Sequence, residues 1–242
     1  MTKQIVVIPT FNEIENIESI VEAVISLPED FDILVVDDNS PDGTATTVKN
    51  LQQKFENRIF LEIRTKKQGL GTAYIHGFKR ALGLGYDFII EMDADFSHNP
   101  KDLPLLLNAC RTDDFDVSIG SRYVKGVNVV NWPMKRILMS WFASKYVKFI
   151  TRIPIHDTTA GFVCYKSEVL KKINLNKIQF VGYAFQIEMK MKAYNLGFKI
   201  KEIPVIFTDR LRGKSKMHGG IIYEAAFGVL KLKLQQLTNR LN

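Results

Sequence analysis

Cysteine is scarce in this chain. Cys110 and Cys164 are the only two, each inside an apolar stretch and neither in CxxC spacing. That excludes a disulfide framework and a cysteine-bound zinc, and the pair reads as reduced core thiols of a cytoplasmic protein. Long apolar runs are missing as well. The opening MTKQIVVIPTFNE is too short in its apolar run for a signal peptide. Nothing approaches the ~20 apolar residues of a membrane span: residues 137–150 are interrupted by Lys145 and Lys148, and residues 219–234 by Glu224, Lys231 and Lys233. No Walker sequence is present, which excludes a P-loop nucleotidase. Gly69, Gly71 and Gly77 loosely echo a dinucleotide fingerprint but do not follow the first strand, which argues against an oxidoreductase. The histidines His76, His98, His156 and His218 show no pairing that points to a general base or a metal cage. Repeats, low-complexity tracts and linkers are absent.

What is there is an ordinary globular composition. The 242 residues are 46% hydrophobic and 24% charged, enough apolar material for a core and too much for disorder. The net charge of +7 is uneven, because residues 196–242 hold nine Lys/Arg against three Asp/Glu. A basic end fits an anionic partner.

Gln4–Pro9 and Phe31–Val36 are short, β-branched, apolar runs, the mark of strands covered on both faces. Further strands are expected at 58–64, 87–92 and 116–119. Helices are expected from Asn12 or Glu13 to Ile25, then at 44–55, 72–82 and 100–110. Strand and helix alternate for about 120 residues, which predicts a doubly wound, mostly parallel α/β sheet forming a single domain over 1–242. Ligands gather at the carboxyl ends of such strands. There the chain places Thr10–Glu13, Asp37–Asp42, Asp93-Ala94-Asp95 and Arg122. Two carboxylates one residue apart can approach a common hard cation, Mg²⁺ or Mn²⁺, which binds through one or two carboxylates plus a substrate diphosphate. These acidic ends would repel a nucleic-acid backbone, so no nucleic-acid partner is expected.

The stretches IPTFNEIENI (8–17), VVDDNSPDGT (35–44), GLGTAYIHGFKRAL (69–82), MDADFSHNP (92–100), GSRYVKG (120–126), DTTAGF (157–162), YAFQIEM (183–189) and TDRLRGKSK (208–216) run in order along nearly the whole chain. Together they resemble the family 2 glycosyltransferases of the GT-A fold, and within them the polyprenyl-phosphate (dolichyl-phosphate) mannosyltransferases. The resemblance implies GDP-mannose as donor and a polyprenyl or dolichyl monophosphate as acceptor, with UDP-glucose or UDP-GlcNAc as the alternative donors. Pro9 and Phe11 would wall the guanine ring. Glu13 and Asp37 would accept from base or ribose, with Val35 alongside, while Asp38 shapes its loop. Asp93 and Asp95, with Ala94 between them, would hold the metal on the diphosphate. Ser97 stands where relatives often carry a glutamine ligand. Arg210 and Lys216 would close on the same phosphates from a basic lid at about 208–220.

Arg122, with Arg136 and Ser140, is the expected acceptor-phosphate site. Asp157, Gln186 and Glu188 are candidates for sugar contacts. The implied catalytic residues are Asp95, Arg122 and Lys216. Residues 133–150 mix Trp, Phe, Ile and Leu with four Lys/Arg and suit a helix in the membrane interface. A peripheral enzyme at the cytoplasmic face follows, with a membrane-anchoring partner protein as a further expectation. A phosphate monoester is already an anion at neutral pH, with a second pKa of about 6, so no general base is needed. Single displacement would invert the anomeric centre.

Overall fold

The computed structural model describes residues 2–209 and 220–238. In β1 (Gln4–Thr10), Ile5 and Val7 enter one apolar core and Val6 and Ile8 the other, all fully buried. A strand that is apolar on both sides can be stable only between two layers of helices. The chain supplies them in alternation: α1 (Ile17–Ile25), β2 (Phe31–Asp37), α2 (Thr44–Lys54), β3 (Ile59–Ile63), α3 (Leu70–Gly83), β4 (Phe88–Glu91), α4 (Leu103–Arg111) and β5 (Val117–Ser121). There follow β6 (Val129–Val130), α5 (Met134–Thr151), β7 (Val163–Lys166), α6 (Ser167–Lys172), α7 (Tyr183–Asn195), β8 (Ile200–Pro204), β9 (Phe207–Thr208) and α8 (Gly220–Leu237).

The main sheet has the order β3-β2-β1-β4-β7-β5-β8. All its pairings are parallel except those of β7, which runs antiparallel to both β4 and β5. The order reverses between β1 and β4, so their carboxyl ends flank a topological switch point. β6 and β9 form a separate two-stranded ribbon. One core packs β-strand residues against α1, α2 and α4; the other packs them against α3, α6, α7 and parts of α5 and α8. Close approach of α3 to the sheet needs Gly77, where a Cβ would lie 2.4 Å from Val7 Cγ1. Cys110 and Cys164 are free and buried in the first core.

α1 begins later than the sequence pattern predicts, at Ile17. Asn12 takes a left-handed φ of 56°, and the Asn16 and Ile17 amides close a turn on the Glu13 carbonyl first. α5 coincides with the expected helix, and its burial is unlike that of a core helix. It buries Ser144, Val147 and Thr151 and exposes Met134, Leu138, Phe142 and Phe149. α8 packs beside it and exposes Phe227, Leu230, Leu234 and Leu237, a single stripe at helical spacing. Among the described residues no helix is long and apolar enough to cross a membrane.

Candidate active site

β4 ends in Glu91, and the chain then turns through Asp93, Ala94 and Asp95 at the switch point. Ala94 is buried, which leaves the carboxylates on either side of it as the turn's chemistry. The turn is held from three directions. The Tyr74 hydroxyl of α3 donates to Asp93 Oδ1 at 3.1 Å. The Asp93 amide donates to His98 Nδ1 at 3.0 Å, and the Ser97 amide to Asp95 Oδ1 at 3.0 Å. Between them Phe96 sits at φ 61°, an uncommon conformation for a bulky residue. Ser97 is buried in this turn. Burial pushes the Tyr74 hydroxyl well above its usual range, and the charges of Asp93, Glu91 and Asp95 push it further. Burial likewise lowers His98, to about 3, so the imidazole is neutral. Its Nδ1 accepts, and the proton therefore lies on Nε2.

Beneath the turn lies a buried polar network. Gln186 Nε2 donates to Glu91, and Lys190 Nζ donates to the Ala160 carbonyl at 2.7 Å and to Gln186. Burial raises the Glu91 carboxyl and lowers the Lys190 ammonium, each against the pull of the other. Gln186, expected as a sugar contact, thus joins Glu91 at the end of β4.

The ends of β1 and β2 place the residues expected on the donor side. Asp37 is fully buried and accepts from Thr10 Oγ1 at 2.7 Å, Ser40 Oγ at 2.6 Å and the Ser40 amide at 2.8 Å. These bonds hold the turn that follows β2. Asp38 instead forms a two-pronged pair with Arg64, at 2.5 and 2.8 Å. Val35 is fully buried in the core formed with α1 and α2. Pro9 and Phe11 are half-buried at the end of β1, with the Lys67 ammonium 4.7 Å from the Phe11 ring centre. Glu13 is half-buried and accepts from Asn16 Nδ2 at 3.0 Å.

At the end of β5, Arg122 is buried against Asp157. Its Nε and Nη2 reach the two carboxylate oxygens at 2.7 and 2.6 Å, its amide adds a third bond at 2.9 Å, and Nη2 also meets Thr159 Oγ1. Burial alone would raise the Asp157 carboxyl; the charge and hydrogen bonds of Arg122 outweigh it and hold it below its ordinary value. Arg122, expected at the acceptor phosphate, and Asp157, expected as a sugar contact, thus lie side by side as a buried ion pair. The more exposed cation is Arg136 on α5, which lies 3.9 Å from the Trp132 ring centre and pairs with Asp209 at 2.8 Å. Ser140, one turn on, is half-buried beside Tyr123. Glu188, expected as a sugar contact, lies on α7. It is fully buried and accepts from the Gln179 and Phe180 amides at 2.9 and 3.2 Å, which fixes the entry to α7.

Arg210, Lys216 and most of the expected basic lid lie outside the described residues. Among the described residues no three His, Cys, Asp or Glu side chains form a metal cage. The donor chemistry at Asp93 and Asp95 nonetheless fits a hard divalent ion, which takes two carboxylates and completes its shell with substrate oxygens and water. Tyr74 and His98 were not singled out from the sequence. Both fall inside quoted motifs, and the available signal was their place, on the helix facing the acidic turn and three residues beyond Asp95.

Residues 5–174 match the model for glycosyl transferase family 2. The chain is 45% identical over 227 residues to polyprenol monophosphomannose synthase of Mycolicibacterium smegmatis, covering 94% of this chain and 85% of that one. It is 42% identical over 225 residues to undecaprenyl-phosphate mannosyltransferase of Micrococcus luteus, covering 93% and 91%. Glucosyl-3-phosphoglycerate synthase from Mycobacterium tuberculosis, solved with Mn²⁺, UDP-glucose and phosphoglyceric acid, superposes with a TM-score of 0.69 at 14% identity, covering 96% and 80%. That likeness carries the fold, of GT-A type. With its strand-end carboxylates, its sheet order and two relatives of this identity, the chain belongs to glycosyl transferase family 2 and is a glycosyltransferase.

Proposed function

We propose that this glycosyltransferase moves mannose from GDP-mannose to a polyprenyl (dolichyl-type) monophosphate, with inversion, as one catalytic domain working at a membrane surface. The observation that carries the reading is the Asp93–Asp95 turn at the switch point, in a chain 42–45% identical to two enzymes named for mannosyl transfer to polyprenyl phosphates.

The guanine would lie against Pro9 and Phe11, with Glu13 accepting from the base or ribose. Asp93 and Asp95 would hold Mg²⁺ or Mn²⁺, with Ser97 close enough in sequence to contribute through water. When bound, such an ion neutralises the donor diphosphate and stabilises charge on the departing GDP. Arg210 and Lys216 would add positive charge at the same phosphates. Arg122, Arg136 and Ser140 would orient the acceptor phosphate, with Arg122 braced by Asp157 and both arginines against the Trp132 ring. The acceptor oxygen is ionised at neutral pH and attacks without a base. The exposed apolar stripes of α5 and α8, flanked by Lys135, Lys145 and Lys231, suit the interface of an anionic membrane, where a polyprenyl chain resides.

The test is turnover with labelled GDP- and UDP-sugars on a short polyprenyl phosphate, with Mn²⁺ or with EDTA. A mannosyl lipid formed from GDP-mannose and abolished by EDTA is the expected result. Transfer from UDP-glucose or UDP-GlcNAc would reassign the donor, and full activity in EDTA would remove the cation.

A further inference from the structure

His98 joins two parts of the molecule that the sequence keeps far apart. On one side its Nδ1 accepts from the Asp93 amide and so closes the acidic turn. On the other it is clamped by two aromatic rings. Phe162 stacks on it at 4.8 Å and 11°, and Phe207 meets it edge-on at 4.8 Å and 82°. The side chain is 2% exposed, and Nε2 has no hydrogen-bond partner among the described residues. Phe207 belongs to the β6–β9 ribbon and packs edge-on against Trp132 at 5.8 Å. Trp132 in turn lies under Arg136, and Phe207 lies 5.2 Å from the Arg122 guanidinium. A buried imidazole that gives one nitrogen to a backbone amide and packs against two aromatic rings is held in place. Any movement of the Asp93–Ser97 turn must therefore displace Phe207, and with it the wall carrying the arginines.

We propose that His98 is a positioning residue that couples the acidic turn to the Trp132–Phe207 wall, so that cation binding at Asp93 and Asp95 reshapes the acceptor side and the acceptor side, reciprocally, tunes cation binding. The proposal rests on the reading of Asp93 and Asp95 as a cation site. It assigns His98 no contact with substrate.

The test uses the Trp141→Phe protein, in which Trp132 is the sole tryptophan. Mn²⁺ binding is measured by electron paramagnetic resonance, and Trp132 emission is followed during titration with Mg²⁺ and GDP. In the parent the emission should shift along the binding curve. His98→Phe keeps a ring in the clamp but removes the acceptor for the Asp93 amide. It should weaken Mn²⁺ about tenfold and abolish the Trp132 response. His98→Asn restores an acceptor near the Nδ1 position and should recover Mn²⁺ affinity to within about threefold, which a merely structural role would not produce. Phe207→Leu leaves the Asp93 bond intact and should keep Mn²⁺ affinity while silencing Trp132, which keeps the idea testable if His98→Phe does not fold. Mn²⁺ binding with an unchanged Trp132 response in both His98→Phe and Phe207→Leu would overturn the coupling alone. Absence of Mn²⁺ binding in the parent would overturn the cation site and the coupling together.

Discussion

The acidic clusters after β2 and β4 look alike in sequence and have opposite fates. Both follow an apolar strand, and both present two aspartates within three residues. After β2 the carboxylates are consumed inside the protein. Asp37 takes three hydrogen bonds from Thr10 and Ser40, and Asp38 is locked to Arg64. After β4 the Tyr74 hydroxyl and the Ser97 amide orient Asp93 and Asp95 at the switch point, and a third carboxylate, Glu91, lies beneath. Strand-end carboxylates one residue apart are ligands that a hard divalent cation accepts. The lesson is that a strand-end carboxylate is read by its partners and not by its motif.

The largest break in this comparison should come from Asp95→Ala. If the β4 cluster serves the reaction, turnover should fall at least about a hundredfold, since a bound cation supplies several kcal/mol to the transition state. Stability should change by no more than about 1 kcal/mol, the worth of one hydrogen bond from the Ser97 amide. Kinetics and urea unfolding on the same preparation separate the two. Wild-type turnover would place Asp95 with Asp37 as a loop-former.

Asp157→Asn comes next, because it strands a charge. Arg122 would stay buried without its counter-ion, which costs about 3–5 kcal/mol. The pH dependence has a definite sign. The Asp157 carboxyl is held below 3.8 when folded, so its stabilisation is complete above that value and is lost as pH falls through the folded pKa. Acid unfolding of the wild type should therefore lose this contribution only below about pH 3.8, whereas the variant lacks it at every pH. Equal urea midpoints for the two proteins at pH 7 would show that the pair contributes nothing.

Asp37→Ala sharpens the contrast from the other side. It removes the acceptor of three bonds and should cost about 2–3 kcal/mol, with the GDP affinity of the folded protein unchanged within about threefold. Loss of GDP affinity at undiminished stability would return Asp37 to the donor site.

Much of the first half of the fold was legible, because strands buried on both faces and the helices between them are written as runs and 3.6-residue stripes. The four-residue β7 was not. Val163–Lys166 is too short for periodicity to mark, and nothing local says that it runs antiparallel. Glu91 gave a signal that went unused, an acid inside an otherwise apolar strand. Gln186 and Glu188 gave another. Residues two apart on a helix point to nearly opposite sides, so they could not both face one sugar. Arg122 with Asp157 and Asp38 with Arg64 were beyond reach, since each pair forms across 35 and 26 residues of chain and only the folded sheet brings them together.

The smallest expected effect asks how the β4 carboxylates keep their aim. Tyr74 is wholly buried, stacked on Phe185 with the rings 3° from parallel and on Phe78 at 6.0 Å. Those contacts survive in Tyr74→Phe, which deletes only the hydroxyl that meets Asp93 Oδ1. Packing should hold stability within about 1 kcal/mol. A carboxylate that loses a fixed donor can rotate, and groups that orient metal ligands typically contribute tenfold or more in affinity. Mn²⁺ binding to Tyr74→Phe, measured by electron paramagnetic resonance, should weaken about tenfold while GDP alone binds as before. An unchanged Mn²⁺ affinity would mean that the main-chain turn from Asp93 to His98 is sufficient to aim the carboxylates, and that the tyrosine is there for its ring.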